Sequence, residues 1–352
     1  MHSLKPEYLA ALRFDANQAA TLRAVGEYRG KQALFYRQAP EVLKGLREVA
    51  VIESSESSNR LEGVVVAANR LKALIARNTQ PRDRSEQEVA GYRDALALIH
   101  ESAREMRLSP NVILQLHSTL YRFMPTPGGR WKAVDNEIIE KRPDGSVRVR
   151  FKATPAHLTP IAMEQLSAGY AAAIGAHQDP LIVVPLAILD FLCIHPFTDG
   201  NGRVARLLTL LLLYRFDYEV GRYISIERVY EATKESYYET LEASSQGWHE
   251  GRHDPYPWLN YFWGVLLRAY REFEERVGEV RSGRGAKAAQ VREAVLARST
   301  PFSISDIEAA CAGVSRDTVR LVLRAMKTEG LIASTGKGRS AKWIGLVGGR
   351  AE

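Results

Sequence analysis

Apolar residues recur three and four positions apart over most of the chain, which is the spacing of one face of an α-helix. Residues 6–50 show this pattern, for example at Leu43, Leu46 and Val49. The same spacing predicts helices over 59–78, 85–104, 110–123, 181–194, 203–216, 225–245 and 258–280. Ser109 followed by Pro110 supplies an N-cap and a first helical residue. The pattern therefore predicts a mainly α protein.

One short segment alternates between apolar and polar side chains instead. Residues 146–151 place valine or phenylalanine between arginines, and a Pro-Asp-Gly turn at 143–145 joins them to residues 137–141. Alternation on both sides of such a turn is typical of a β-hairpin. We predict a small hairpin with one apolar face.

The C-terminal residues 286–346 look like a separate module. A Gly- and Arg-rich stretch at 281–285 is a candidate linker before it. One helix is followed by a second, capped by Ser303 or Ser305, and by a third capped by Ser315. Two short strands around a glycine loop complete the module. This order is the pattern of a winged helix.

Composition narrows the class of protein. Of the 352 residues, 45% are hydrophobic and 25% are charged, which is typical of a soluble globular chain. The net charge of +7 suggests an acidic partner such as a nucleotide or nucleic acid.

Cys193 and Cys311 lie in apolar helical patterns, so we expect two buried free thiols. Apolar runs such as Leu207–Leu213 are far too short to span a bilayer, and the N-terminus lacks a signal core. We expect a cytoplasmic protein.

Residues 195–206, His-Pro-Phe-Thr-Asp-Gly-Asn-Gly-Arg-Val-Ala-Arg, join two apolar helices. Gly200 and Gly202 allow a sharp turn that leaves N–H groups uncovered at a helix N-terminus, which makes an anion site. Arg203 and Arg206 share a helix face, and guanidinium groups suit phosphate oxygens. The alternative is a tight interhelical turn with surface arginines.

Two further side chains of this segment complete a chemical site. Asp199 could hold Mg²⁺ that also binds phosphates. His195 is the one group of the segment that titrates near neutral pH, so it is the natural general base. The sequence has no Gly-x-x-x-x-Gly-Lys phosphate loop, so the segment predicts a different phosphate cradle.

Residues 195–206 match every fixed position of the Fic-family signature, His-Pro-Phe-x-Asp/Glu-Gly-Asn-Gly-Arg-x-x-Arg. Weaker similarity extends over about residues 1–280. The resemblance implies a Fic-type helical bundle with a hairpin flap. Its catalytic core would span 106–280, after an N-terminal helical region at 1–105. It also implies an enzyme that transfers AMP from ATP to a Ser, Thr or Tyr hydroxyl of a target protein or of itself.

The resemblance implies a role for each matching residue. His195 would take the proton of the target hydroxyl, and Asp199 would bind Mg²⁺ held by the ATP phosphates. Arg203 would brace the anion cradle and contact phosphate, and Arg206 would hold the γ-phosphate. The cradle itself would consist of Gly200, Asn201 and Gly202. Tyr237 or Tyr238 would line the adenine side, or both are stacked core tyrosines.

The resemblance also covers the hairpin and an upstream motif. The hairpin is similar to the family's target-docking flap, which would pair with an extended target segment. It could also be a plain solvated hairpin. Residues 58–63 resemble the inhibitory motif Ser/Thr-x-x-x-Glu-Gly/Asn, which places Ser58 and Glu62 on one helical face. Glu62 would then pair with Arg206 and displace the γ-phosphate. An N-cap serine with an exposed glutamate is the alternative.

Other functions remain open at this point. A Fic enzyme could transfer another nucleotide-linked group, or remove AMP with water activated by Glu62. The chain could also be a DNA-binding regulator with a Fic sensor, because residues 286–352 contain eleven Lys or Arg and six Asp or Glu. The third helix and wing of the module carry Arg316, Arg320, Arg324, Lys327, Lys337, Arg339 and Lys342. Winged helices also bind proteins or dimerise, so a homodimer is an alternative.

Overall fold

The computed structural model describes residues 2–38, 40–141, 145–282, 284–296, 298, 300–311, 314–335 and 342–345. They form two compact units, Met1–Phe273 and Glu274–Glu352. The fold is mainly α, as predicted, with two small antiparallel hairpins among the described residues. No helix in the described ranges has the length and apolar character needed to cross a membrane. The predicted division at residue 105 lies inside the first unit and stays a functional prediction.

Twelve α-helices begin in the described part of the first unit. They are α1 (Pro6–Ala11), α2 (Ala16–Gln38), α3 (Pro40–Leu61), α4 (Ala68–Ile75), α5 (Arg84–Ser102), α6 (Pro110–Leu120), α7 (Thr159–Gly175), α8 (Pro180–Ile194), α9 (Asn201–Tyr214), α10 (Ile226–Ala232), α11 (Lys234–Ser245) and α12 (Tyr256–Ser282). Two 3₁₀ turns cover Ala156–Leu158 and Val220–Arg222. Between α6 and α7 lies the hairpin of β1 (Glu137–Lys141) and β2 (Val147–Lys152).

The two helices on either side of the signature loop, α8 and α9, form the centre of the core. Nearly all of their residues are buried, which is why both sequences are apolar around the whole helix. α8 packs on α7, α9 and α11, whereas α9 packs on α3, α5 and α6. The loop that joins them is therefore fixed at both ends by the most buried elements of the fold.

Two segments were predicted as single continuous helices, and both predictions are wrong because each segment is interrupted. The predicted helix over 59–78 is broken, because α3 ends at Leu61 and the chain turns through Gly63 at a φ of +81°. The predicted helix over 225–245 is two helices, separated at Thr233. The Thr233 hydroxyl donates to the Val229 carbonyl at 2.8 Å, and side-chain bonding of this kind competes with helical geometry.

The hairpin forms where it was predicted, and part of its apolar face is open to solvent. β1 and β2 are antiparallel, with an irregular register between Ile138 and Ile139. Phe151 is buried, whereas Val147 and Val149 are 58% and 43% exposed. Two positions of the predicted Pro-Asp-Gly turn, 143 and 144, lie outside the described residues.

The second unit has its own small core. Its elements are α13 (Arg284–Leu296), α14 (Ile304–Ala310), α15 (Arg316–Thr328), β3 (Ile332–Thr335) and β4 (Lys342–Gly345). The order agrees with the predicted module, whose identification as a winged helix stays a prediction. The candidate linker at 281–285 is helical on both sides of residue 283, which itself is not described.

Several local predictions of caps and thiols are confirmed. Ser109, Ser303 and Ser315 each accept a hydrogen bond from the backbone of the helix they precede. Cys193 and Cys311 are buried and free.

The crossing of α5 and α6 depends on Gly91. A Cβ atom at this position would lie 1.9 Å from the Leu120 carbonyl oxygen, whereas a Cβ at Gly45 in α3 would meet nothing within 4 Å. We expect Gly91→Ala to lower the free energy of unfolding by about 1–3 kcal/mol or more, because the two helices must move apart. Gly45→Ala is the matched control and should raise it by about 0.5–1 kcal/mol. Thermal or urea unfolding measures both. Equal effects of the two substitutions would contradict the close crossing.

Candidate active site

His195 ends α8 in a left-handed conformation, with φ 49° and ψ 61°. Few residues other than glycine adopt this region, and Pro196 disfavours the helical alternative. The His195 N–H still donates to the Phe191 carbonyl at 2.9 Å. Nδ1 lies 3.2 Å from the Leu192 carbonyl oxygen. Because a carbonyl can only accept, Nδ1 carries the proton and Nε2 is left with a free lone pair.

The protonation state of His195 suits a base. Burial lowers the pKa of His195 to about 4, with a further contribution from the Lys132 charge, and the hydrogen bond to Leu192 opposes this only in part. The imidazole is therefore neutral at pH 7 and able to accept a proton.

The loop after His195 is held by amide side chains. The Asn201 side chain forms two hydrogen bonds with the backbone of Phe197. Its Oδ1 accepts from the Phe197 N–H at 2.9 Å, and its Nδ2 donates to the Phe197 carbonyl at 2.7 Å. Asn136 donates to the same carbonyl at 2.9 Å. The side chain of Asn201 therefore closes the loop instead of pointing to an anion.

Two residues that the sequence analysis did not single out fix the same loop. The ring of His117 stacks on Phe197 at 3.7 Å, its Nδ1 accepts from the Gly129 N–H at 2.8 Å, and its Nε2 lies 3.2 Å from the Asp199 carbonyl oxygen. Lys132 donates to the Ile194 carbonyl at 3.0 Å. Both come from segments more than 60 residues upstream, so no local pattern could have revealed them.

Arg206 is almost fully buried and is held by α3. Its Nε donates to the Ser58 hydroxyl at 2.8 Å, and one amino group donates to the Ser58 carbonyl at 2.7 Å. That amino group also lies 2.8 Å from Oε1 of Glu62. The second amino group is buried without a hydrogen-bond partner. Burial acts to lower the pKa of Arg206, but the Glu62 charge and the neighbouring tyrosines Tyr237, Tyr92 and Tyr238 together more than offset it, so the pKa is raised.

Glu62 reaches the site from a turn and not from a helical face. It lies one residue beyond α3, with its N–H donating to the Asn59 carbonyl at 3.0 Å. Ser58 is buried within α3 and is not an N-cap. A Cβ at Gly202 would lie 2.2 Å from Glu62 Oε1, so the carboxylate occupies space that only a glycine leaves free. The Glu62 carboxylate is thus itself an anion in the first turn of α9.

The guanidinium group of Arg203 contacts other side chains of the protein. Arg203 is 2% exposed, forms an ion pair with Glu88 of α5, and approaches Asp199 at 3.4 Å. Its guanidinium carbon also lies 5.9 Å from the centre of the Tyr121 ring. These contacts agree with a residue that braces the start of α9.

Asp199 remains ionised at the edge of the site. Its side chain is 52% exposed, and its Oδ1 accepts from the Gly200 N–H at 2.7 Å. Burial acts to raise the pKa of Asp199, but the Arg203 charge and the Gly200 hydrogen bond lower it overall. An accessible carboxylate of this kind can accept a metal ion.

A cavity of about 510 Å³ lies beside these groups. The predicted residues that line it are Glu62, His195, Gly202, Arg206, Tyr237 and Tyr238. The structure places Ser58, Asp199, Gly200, Asn201 and Arg203 outside its walls. Tyr237 is also packed against Tyr230 and Trp258, as expected of a stacked core tyrosine, and its place on an adenine side stays a prediction. The hairpin and α11 complete the walls.

Comparison with known proteins agrees with the signature. The Fic/DOC family model matches residues 107–213. A crystal structure of a Fic family protein from Desulfovibrio desulfuricans has a TM-score of 0.64 and 21% identity, covering 97% of this chain and 99% of that one.

Two further structures share the fold over a smaller part of the chain. A Fic-domain-containing signalling protein from Bacteroides thetaiotaomicron has a TM-score of 0.61 and 22% identity, over 73% of this chain and 97% of that one. A Fic-1 fragment from C. elegans has a TM-score of 0.58 and 19% identity, over 74% and 72%. The chain therefore contains a Fic/DOC domain at residues 107–213.

Proposed function

We propose that this protein is an adenylyltransferase that moves AMP from ATP to a hydroxyl side chain of a protein, and that Glu62 inhibits it. Members of the Fic family are typically transferases that act on nucleotide-linked groups. The main observation that supports AMP transfer is that a neutral histidine, His195, and a buried arginine, Arg206, line the same cavity.

The walls of the cavity suit a nucleoside triphosphate. α8 and α11 contribute Leu189, Leu192 and Leu241, which offer an apolar surface for a base. The start of α9 contributes Gly202 and Arg206, which offer N–H groups and a positive charge for phosphates. A volume of about 510 Å³ lies in the usual range of small-molecule sites.

The residues present also fit Mg²⁺ that arrives with the nucleotide. Magnesium is usually held by one or two carboxylates, waters and substrate phosphates instead of a full protein cage. Asp199 provides one accessible ionised carboxylate, and the described residues contain no cluster of three metal-ligating side chains. Bound there, the ion would neutralise developing charge on the phosphates.

The proposed reaction is an in-line displacement at the α-phosphorus. The oxygen of the target hydroxyl forms the new P–O bond, and its proton moves to Nε2 of His195. The bond from the α-phosphorus to the bridging oxygen breaks, and pyrophosphate leaves. Arg206 and the N–H groups of the cradle orient the phosphates, and positioning of this kind supplies much of the rate in phosphoryl transfer.

The exposed hairpin offers a surface on which a target protein could bind. Ile139, Val147 and Val149 leave an apolar surface open to solvent, and residues of both strands border the cavity. An extended target segment could add a strand along β1 or β2, with its hydroxyl directed to His195.

Glu62 would inhibit by occupying the place of the γ-phosphate. The Glu62–Arg206 pair leaves one amino group of Arg206 unpartnered and fills the space above Gly202. A triphosphate would have to displace this carboxylate or bind with its phosphates out of line. A hydrogen bond between charged groups contributes about 1.5–3 kcal/mol, or roughly 10- to 150-fold in affinity.

We expect His195→Ala to reduce transfer by at least about 100-fold, because a general base contributes 10²–10⁴ in rate. ATP binding should persist, since the phosphate contacts remain. The assay follows transfer of label from α-³²P-ATP and from γ-³²P-ATP to protein. The control is His157→Ala, at an exposed histidine outside the site. Label from the γ-phosphate on protein would mean a kinase and would refute the proposal.

We expect Glu62→Gly to raise self-modification or target modification by roughly 10- to 100-fold, because the competing carboxylate is removed. Arg206→Ala should not activate, since the phosphate clamp is lost as well. The double variant should be no more active than Arg206→Ala alone. The measurement is the initial rate of AMP incorporation from α-labelled ATP. Lower transfer by Glu62→Gly would argue against inhibition, and accompanying loss of AMP removal from modified protein would favour the hydrolytic alternative.

A further inference from the structure

The second unit contains a helix, α15, with two distinct faces. Val319, Val322, Leu323 and Met326 are buried in the core that α15 shares with α13, α14 and β3. The opposite face is exposed over the length of the helix. The hydrophobic core of the unit therefore leaves this face free for another task.

The exposed face is strongly basic along one edge. α15 has one acidic residue, Asp317, and its basic residues are Arg316, Arg320, Arg324 and Lys327. Their spacing of four, four and three residues places them in one stripe. At 1.5 Å per residue the stripe is about 16 Å long.

The ion pairs on this stripe are weak. Arg316 lies 2.9 Å from Glu308 and Arg320 lies 3.4 Å from Asp317, but both arginine side chains are about half exposed. Exposed pairs of this kind contribute only about 0–1 kcal/mol. The arginines can therefore exchange these partners for phosphate at little cost.

A large apolar residue stands beside the basic stripe. Leu321 is 71% exposed, although it lies in the middle of α15. Asp317, one turn earlier, has a side chain that is 92% exposed. An apolar side chain and a carboxylate flanked by arginines are groups that contact base edges between phosphates.

We propose that α15 binds duplex DNA in the major groove. α14 ends at Ala310 and α15 begins at Arg316, so the two helices are consecutive in the chain, and the second helix of a helix-turn-helix pair is the one that enters the groove. The basic residues would contact phosphates, while Leu321 and Asp317 would face thymine methyl and cytosine amino groups. This role is independent of AMP transfer.

The first test uses the full chain and a pool of random-sequence duplexes at about 50 mM salt. Selection should enrich a short motif, and binding of that duplex should weaken steeply as salt rises. Arg320→Ala with Arg324→Ala should weaken binding at least tenfold and reduce the salt slope by about 2. Retention of no duplex, or binding unchanged by the double substitution, would overturn the proposal and leave α15 as a surface for a protein partner.

A pair of leucine variants separates base contact from general charge effects. Leu321→Glu should abolish binding of the selected duplex. Leu296→Glu is the matched control, because Leu296 is 64% exposed at the end of α13, and it should bind within about twofold of the parent despite the same change of charge. Both sites are exposed, so thermal unfolding should be unchanged in both proteins. Equal loss of binding in both variants would also overturn the proposal.

Discussion

A buried guanidinium group needs a counter-charge or hydrogen-bond acceptors, and at the start of α9 this requirement falls on Arg206. Ser58 supplies two of its acceptors, and Glu62 supplies the charge. This contact ties α3 and the turn after it to α9, the helix that follows the signature loop. α3 and this turn are therefore part of the candidate site.

The other arginine of the signature satisfies the same requirement differently. Arg203 pairs with Glu88 of α5 and approaches Asp199, so its charge is balanced inside the protein. Arg206 keeps one amino group without a partner. The Nε of Arg203 is also buried without a hydrogen-bond partner, so both arginines keep an unused donor, but of the two residues it is Arg206 that lines the cavity. The proposed inhibition by Glu62 therefore acts at Arg206, whereas Arg203 braces the fold.

The sequence identified the residues of the candidate site better than it predicted their geometry. Local patterns predicted α8, α9 and the helix caps because each depends on neighbouring residues. They did not predict the turn at Gly63 after α3, because a single glycine is also tolerated inside a helical pattern. They also missed His117 and Lys132, which contact the loop only after distant helices have packed. The apolar face of β2 was predicted without its exposure, because alternation shows which residues share a face, but not whether anything covers that face.

Competition between Glu62 and the γ-phosphate for Arg206 can be measured without turnover. Calorimetry would compare ATP with ADP, in the presence of Mg²⁺, on His195→Ala and on His195→Ala with Glu62→Gly. With Glu62 present, we expect ATP and ADP to bind with similar affinity, because Arg206 is already engaged. Without Glu62, ATP should bind about tenfold or more tightly than ADP, as the γ-phosphate gains a charged hydrogen bond. The same ratio of ATP to ADP affinity in both proteins would contradict occupation of the phosphate site by Glu62.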